Sequence, residues 1–199
     1  MRRRPAEALL IDFDGVLRHF DSSVYGDFES RHGVAPAKLL ESGLEWARQI
    51  PAITGHWTRQ QWLDEIAAHT GASAAALTEW DAYRGYVDET VLAFVREVRA
   101  SGRKVGLGTN ATDDLHDDLA LFGLKDDFDA IVSSAELGVH KPSKEFFKAA
   151  CLALDTPADR CLFIDDVDRN IRGARVAGLS ALRWTSPADL TYARAALGL

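Results

Sequence analysis

Apolar residues come in short bursts along this chain, and several bursts end in polar groups that a core would reject. "EALLIDF" (7–13) reads as a buried strand and the "DGV" after Phe13 as a turn. From 88 onward helix and strand patterns alternate. "ETVLAFVREVRASG" predicts a helix ended by Gly102, "RKVGLGTN" a strand, and "TDDLHDDLALFG" a helix capped by Thr112 and stopped by Gly123. "FDAIVSS" predicts a strand, "PSKEFFKAACLALD" a helix opening at Pro142, and "RCLFIDD" a strand. "DRNIRGARVAG" then reads as a helix and "LSALRW" as a strand. "SPADLTYARAAL" reads as a last helix, with Ser186 capping and Pro187 at its first position. Such alternation implies right-handed βαβ crossovers and a parallel sheet covered on both faces.

From about Phe20 to Tyr86 the pattern is helical throughout. "APAKLLESGLEWARQI" places Leu39, Leu40, Leu44, Ala47 and Ile50 at helical spacing. "TRQQWLDEIAAHTG" has Thr58 as N-cap and Gly71 as stop, and "SAAALTEWDAYRG" repeats the scheme with Ser73 and Gly85. Trp46, Trp57, Trp62 and Trp80 fall here and read as the core of this stretch. Lying between the first and second α/β units, it reads as an inserted cap. The expected division is 1–19 and 87–199 for an α/β core and 20–86 for the cap.

Composition narrows the picture. With 199 residues, 47% of them hydrophobic, the chain suits one domain or a core with a modest insertion. A formal charge of -7 leaves no basic footprint for nucleic acid, and an anionic substrate would need local positive charge, such as a metal. Cys151 and Cys161 match no metal-ligand spacing and read as buried free thiols of a reducing compartment. "MRRRPAEALLID" starts like a signal peptide, but its apolar run stops at Asp12. No stretch is long enough to span a membrane. A soluble cytoplasmic protein is expected.

Four predicted strands end in chemistry. The first ends in Asp12 with Asp14 two on, the second in Thr109 and Asn110, and the fourth in Asp165 and Asp166, while the loop after the third brings Lys141. Ligands of open parallel sheets bind at the carboxyl ends of the strands, and adjacent strands lie about 5 Å apart, so these groups can converge. Up to four carboxylates in one place cannot all ionise without compensating cations, and one lysine is not enough. A hard divalent cation such as Mg2+ is, and a hydroxyl, backbone amides and an ammonium suit phosphate oxygens. The residues call for a metal and a phosphate together. The cluster "DDLHDD" at 113–118 is read as a solvated helix surface rather than a metal site. His140 is read as a loop histidine without a catalytic role, and His19 and His56 as solvated.

Asp12-x-Asp14-Gly15-Val16, the strand-end Thr109, Lys141-Pro142 and the pair Asp165-Asp166 together resemble the four ordered motifs of the haloacid dehalogenase-like (HAD) hydrolase superfamily. "DDVDRNIRGARVAGL" is similar to the stretch after the fourth motif in the subgroup with a helical cap between motifs one and two. The resemblance implies a Rossmann-like α/β fold with a helical cap inserted after the first strand. It implies Asp12 as nucleophile, forming an aspartyl-phosphate, and Asp14 as general acid/base. Thr109 and Asn110 would bind phosphoryl oxygens. Lys141 would link the nucleophile to the phosphoryl group and offset their charge. Mg2+ would be held by Asp12, Asp165 and Asp166, with Asp14 contributing its main-chain carbonyl. Asn170 would support the metal or orient Lys141. The activity implied is a Mg2+-dependent phosphatase acting on a small phosphorylated metabolite.

Other functions weigh against this. A 2-haloacid dehalogenase resembles a metal-free variant without an acid at position 14, so Asp14 counts against it. A phosphomutase keeps both aspartates and differs in the cap. A receiver domain carries its acidic pair on the first strand and its phosphorylated aspartate on the third, the reverse of the order here. A non-catalytic phosphate-binding protein would not need all four motifs, although a fold alone does not guarantee activity.

Overall fold

A computed structural model of the protein describes residues 4–199; the first three residues of the expected core segment and of the basic start lie outside the described residues. The chain runs β1 (Ala8–Ile11), β2 (Arg18–His19), α1 (Ser22–His32), α2 (Lys38–Leu44), α3 (Trp46–Ile53), α4 (Arg59–Thr70), α5 (Ala74–Ala82) and β3 (Tyr86–Val87). It continues α6 (Glu89–Ala100), β4 (Lys104–Thr109), α7 (Leu115–Leu121), β5 (Ala130–Ser133), α8 (Ser134–Leu137) and α9 (Lys144–Ala153). The last elements are β6 (Cys161–Asp165), α10 (Asp168–Val176), β7 (Ser180–Arg183) and α11 (Leu190–Leu197).

Five strands form one parallel sheet in the order β5-β4-β1-β6-β7. The fold is α/β and Rossmann-like, as the alternation implies. β1 is central and buried throughout because both of its faces are apolar. Leu9 and Ile11 join Phe94, Leu119 and Leu197 under α6, α7 and α11. Ala8 and Leu10 point the other way, to Phe146, Phe147 and Ile171 of α9 and α10. A strand covered on both faces is continuously hydrophobic rather than alternating, which is how β1 and β6 read. Cys151 and Cys161 are buried free thiols of this second layer.

Five helices, α1 to α5, lie between β2 and β3 and carry a separate apolar cluster around Phe28, Leu39, Leu63, Ile66 and Trp80. β2 and β3 pair antiparallel, Arg18 with Val87 and His19 with Tyr86, so the two connections to this unit form one ribbon. Gly85, at φ 79°, lets the returning chain pass so close to the His19 carbonyl that a Cβ would meet that oxygen at 2.4 Å. No helix among the described residues is long and apolar enough to cross a membrane.

Several local expectations change. The helix expected over 35–50 is two, because Glu45 is extended (φ -60°, ψ 135°) between α2 and α3. Thr58 caps α4 with a reciprocal Gln61 bond, Gly71 ends it, and Ser73 caps α5, as their spacing implies. Thr112 does not cap α7; its hydroxyl donates to Asp114 at 2.6 Å, and the helix starts at Leu115. α9 opens at Lys144 behind its cap Ser143, not at Pro142. Trp80 is core, but Trp46 is 57% exposed and meets His140 edge-on, 6.1 Å between ring centroids.

Candidate active site

β1 is flanked by β4 and β6, with Ile11 level with both Leu107 and Ile164. That register brings Asp12, Thr109 and Asp165 to one edge of the sheet, where connections leave to opposite sides and a crevice opens. Asp12 continues the ladder, its amide donating to the Ile164 carbonyl at 2.9 Å. Gly15 makes the turn beyond at φ 85°, and a Cβ there would meet Asp166 Oδ2 at 2.4 Å. Only glycine lets the Asp14 turn and the Asp166 carboxylate approach this closely.

Lys141 lies at the centre, 1% exposed, its Nζ 2.8 Å from Asp12 Oδ1 and 2.7 Å from Asp165 Oδ2. Asp12 Oδ1 also accepts from the Phe13 amide at 2.7 Å. Asp165 is saturated: Oδ1 accepts from the Val167 amide (2.8 Å) and Asn170 Nδ2 (3.1 Å), and Oδ2 from Lys141 and Asn170 (3.0 Å). Four such contacts fill a carboxylate's lone-pair capacity. Asn170 therefore braces Asp165, and through it Lys141. Asn110 is placed differently from expectation. Its side-chain carbonyl accepts from the Lys141 amide at 2.7 Å and its amide donates to the Lys141 carbonyl at 3.1 Å. The side-chain oxygen and one amide N–H of Asn110 thus hold the Lys141 loop, and Asn110 also lines the pocket.

The electrostatics follow from burial. Desolvation pushes the Asp12 carboxyl well above its ordinary range, Asp165 and Asp14 push the same way, and Lys141 opposes them. Burial alone would lower the Lys141 ammonium, but Asp12 and Asp165 outweigh it and hold the lysine charged. Asp166 is raised by burial and then by Asp165, and its Oδ1 is buried without a hydrogen-bond partner. Ligand atoms of Asp12, Asp165 and Asp166 lie within 4.8 Å of one another, the one such group among the described residues. Hard oxygen donors, an orphaned carboxylate oxygen and three acids against one lysine fit a divalent cation of the Mg2+ class. The Asp14 carboxylate is not part of this group.

A pocket of about 380 Å³ covers these groups, lined by Asp12, Asp14, Thr109, Asn110, Lys141, Asp166 and Asn170 and completed by Leu44 and Gln49 from α2 and α3. A cleft of about 150 Å³ adjoins it, sharing Asp14, Leu44, Gln49 and Asn110. Sequence reasoning missed Gln49, whose only mark is a polar residue inside an amphipathic helix. It also read 113–118 as solvated throughout, whereas Asp113, His116 and Asp117 are exposed and Asp114 and Asp118 are not. Asp118 is buried, with Arg18 Nη1 at 2.5 Å and Arg84 Nε at 2.6 Å, and Asp114 accepts from Arg84 at 2.5 Å. Those acids are the anionic half of an ion network rather than a solvated surface. His140 Nδ1 lies 2.6 Å from the Lys141 carbonyl.

Comparison with known proteins agrees with this architecture. The haloacid dehalogenase-like hydrolase profile matches residues 6–178, and the chain belongs to that family. It is 32% identical to a glyceraldehyde 3-phosphate phosphatase of Methanocaldococcus jannaschii, over 85% of this chain and 74% of that protein. It is 34% identical to a phosphoserine phosphatase of Thermus thermophilus, but over only 45% of this chain and 37% of that protein. Among solved structures, a HAD family enzyme of Bacteroides thetaiotaomicron in magnesium complex superposes with a TM-score of 0.78 at 22% identity, covering 96% of this chain and 98% of that one.

Proposed function

We propose that this chain is a Mg2+-dependent phosphatase that hydrolyses a small phosphorylated metabolite through an aspartyl-phosphate on Asp12, with residues 20–86 acting as a cap over the site. The observation that carries this reading is the charge imbalance around Asp12. Two buried carboxylates and a half-buried third face one ammonium, and Asp166 Oδ1 has no partner. Such a cluster is unfinished without a cation and an anionic guest.

In the first half-reaction Asp12 Oδ2 attacks phosphorus, because Oδ1 is engaged by the Phe13 amide and Lys141. The bond from phosphorus to the ester oxygen breaks, and Asp14 gives its proton to that departing oxygen. In the second, a water oxygen attacks phosphorus while Asp14 takes the proton, the bond to Asp12 breaks, and the carboxylate returns as inorganic phosphate leaves. Thr109 and the Asp14 amide bind phosphoryl oxygens, the Asp12, Phe13 and Gly15 amides being engaged within the protein, and Lys141 offsets charge on both nucleophile and phosphoryl group. Asn110 and Asn170 act by holding Lys141 in place. Asp12, Asp166 and the Asp14 carbonyl would hold the ion, with Asp165 reserved for Lys141. When bound, Mg2+ supplies the positive charge that lets carboxylates and phosphoryl oxygens share the site.

The pocket suits a small molecule, and the relatives named above act on small monoesters by their names. Two buried free cysteines fit a reducing, cytoplasmic setting. The test is a screen of phosphorylated metabolites alongside a phosphopeptide, with Mg2+ and then with chelator. Small monoesters should be hydrolysed, activity should vanish on chelation, and Mg2+ should restore it. Full activity in metal-free buffer, or a preference for the phosphopeptide, overturns the reading.

A further inference from the structure

Asp14 presents a geometric problem. It sits on a turn beyond β1 with its side chain 42% exposed, yet a general acid must meet the departing oxygen within hydrogen-bond reach. A freely rotating carboxylate would do this poorly.

Arg18 fixes it. Arg18 Nε donates to Asp14 Oδ1 at 2.6 Å and Nη2 to Oδ2 at 3.0 Å, a bidentate fork that holds the carboxylate in one plane. Each Asp14 oxygen keeps a further lone pair for other work. The guanidinium is itself immobilised. It is 7% exposed, lies 4.2 Å from the Phe13 ring centroid, and donates through Nη1 to Asp118. The Arg18 amide donates to the Phe13 carbonyl and its carbonyl accepts from the Gly15 amide, so its backbone belongs to the same turn as Asp14. That backbone is also half of the ribbon that joins residues 20–86 to the core.

The bonds continue outward. Arg84, just before β3, donates to Asp118, Asp114 and Asp81. Arg59, at the start of α4, donates to Asp81 at 2.6 Å and its amide to Asp113 at 2.7 Å. An unbroken path of charge-assisted bonds thus runs from the Asp14 carboxylate to a helix of the cap.

We propose that Arg18 is the positioning residue for Asp14, and that through Asp118 and Arg84 it ties the orientation of that carboxylate to the seating of residues 20–86 on the core. This rests on the phosphatase reading. When the cap lifts, Arg59 and Arg84 withdraw from Asp113, Asp114 and Asp118. The outer anchor of Arg18 loosens, and Asp14 loses its fixed plane while the site is open to bulk water. Acid–base competence is then confined to the seated state.

The test compares wild-type protein with Arg18→Gln and Arg18→Lys, Mg2+ present, on an alkyl ester (glycerol phosphate) and an aryl ester (p-nitrophenyl phosphate). Arg18→Gln should lower kcat on the alkyl ester on the order of 10²-fold, the scale of a general acid's contribution, with KM little changed. On the aryl ester, whose leaving group needs no proton, it should give a burst of nitrophenolate and accumulate phosphoenzyme, because hydrolysis still needs an oriented base. Arg18→Lys should recover part of the loss, since a point charge replaces a fork. Equal losses on both esters without a burst, or a loss confined to KM, overturn the assignment. Should Arg18→Gln fail to fold, Asp118→Asn decides by the same readouts, with the same pattern at smaller amplitude supporting and no pattern overturning. Hydrogen exchange of the ribbon and the α4 N-terminus, measured without substrate, should quicken in either variant. Unchanged exchange overturns the coupling even where wild-type protein proves inactive on every ester, which is the separate failure of the phosphatase reading.

Discussion

Two charged clusters meet at Asp14, and the fold moves Asp12 and Asp166 of one and Asp114 of the other in opposite directions. At the strand ends, Asp12 and Asp166 are pushed upward, chiefly by burial and then by neighbouring acids that one lysine cannot balance. In the network around Arg18, Arg59 and Arg84, Asp114 is pulled down: burial would raise it, but Arg59, Thr112 and Arg84 prevail. The network sets Arg18, Arg59 and Arg84 against Asp14, Asp81, Asp114 and Asp118, so most of its charge is matched from within. The strand-end cluster is built to receive charge and carries strain until it does. The network is built to stay closed around what it holds. The two clusters share Asp14 and differ in balance: the charge around Asp12 and Asp166 is unmatched, and that around Asp114 is matched from within.

The largest effect that would sharpen this contrast lies at Asp12. Asp12→Asn should reduce turnover to background, because no nucleophile remains. In metal-free protein the same change should raise Tm. A carboxyl whose folded pKa is raised stabilises the fold below its unfolded pKa and loses that contribution as pH rises through the folded value. The gain of the asparagine variant should therefore grow from acid toward neutral pH. Calorimetry across pH with chelator present checks this, and a lower Tm at pH 7 would mean that Asp12 is balanced by Lys141 alone. The network should behave the other way. Asp118→Ala leaves Arg18 and Arg84 without a buried partner and should cost about 3–5 kcal/mol in denaturant unfolding. A neutral result would reduce the network to decoration.

The difference also explains what the sequence made legible. Asp12, Thr109, Lys141 and Asp165 could be read because parallel strands deliver their carboxyl ends to one edge, and acids inside "LLIDFDGVL" have no silent explanation. Arg18 and Asp118 could not, since the two are 100 residues apart and "DDLHDD" has the composition of a solvated helix. Asp114 and Asp118 turn inward because Arg18 and Arg84 are carried to them, a tertiary fact with no periodic signature, while Asp113 and Asp117 stay exposed. Asn110 was legible as a site residue but not in its role, because only the loop geometry shows its amide committed to the Lys141 backbone. The break at Glu45 was announced only by Gly43, two residues earlier and itself inside α2, so one helix was expected where there are two, with Leu44 and Gln49 both brought to the pocket.

The smallest effect is expected at Asp114, and it tests the sign itself. Asp114 lies at the outer part of the network, partly exposed, between Arg84 and Arg59. A carboxyl held below its ordinary pKa contributes stability that is present above its unfolded value, about 3.9, and is lost as pH falls through the folded value. Asp114→Asn should therefore lower Tm slightly at neutral pH, by an amount in keeping with a partly solvated pair, about 1 kcal/mol or less. The gap to wild type should close on acidification below about pH 4, where the wild-type carboxyl also becomes neutral. Raised salt should narrow it too, because an exposed pair is screened while the Lys141 cluster is not. Tm followed from pH 7 to pH 2 at two salt concentrations decides the matter. A gap that persists at pH 2 would assign the loss to packing or to the Thr112 hydrogen bond rather than to charge. A gap that widens on acidification would place Asp114 with the strand-end acids and erase the distinction between the two clusters.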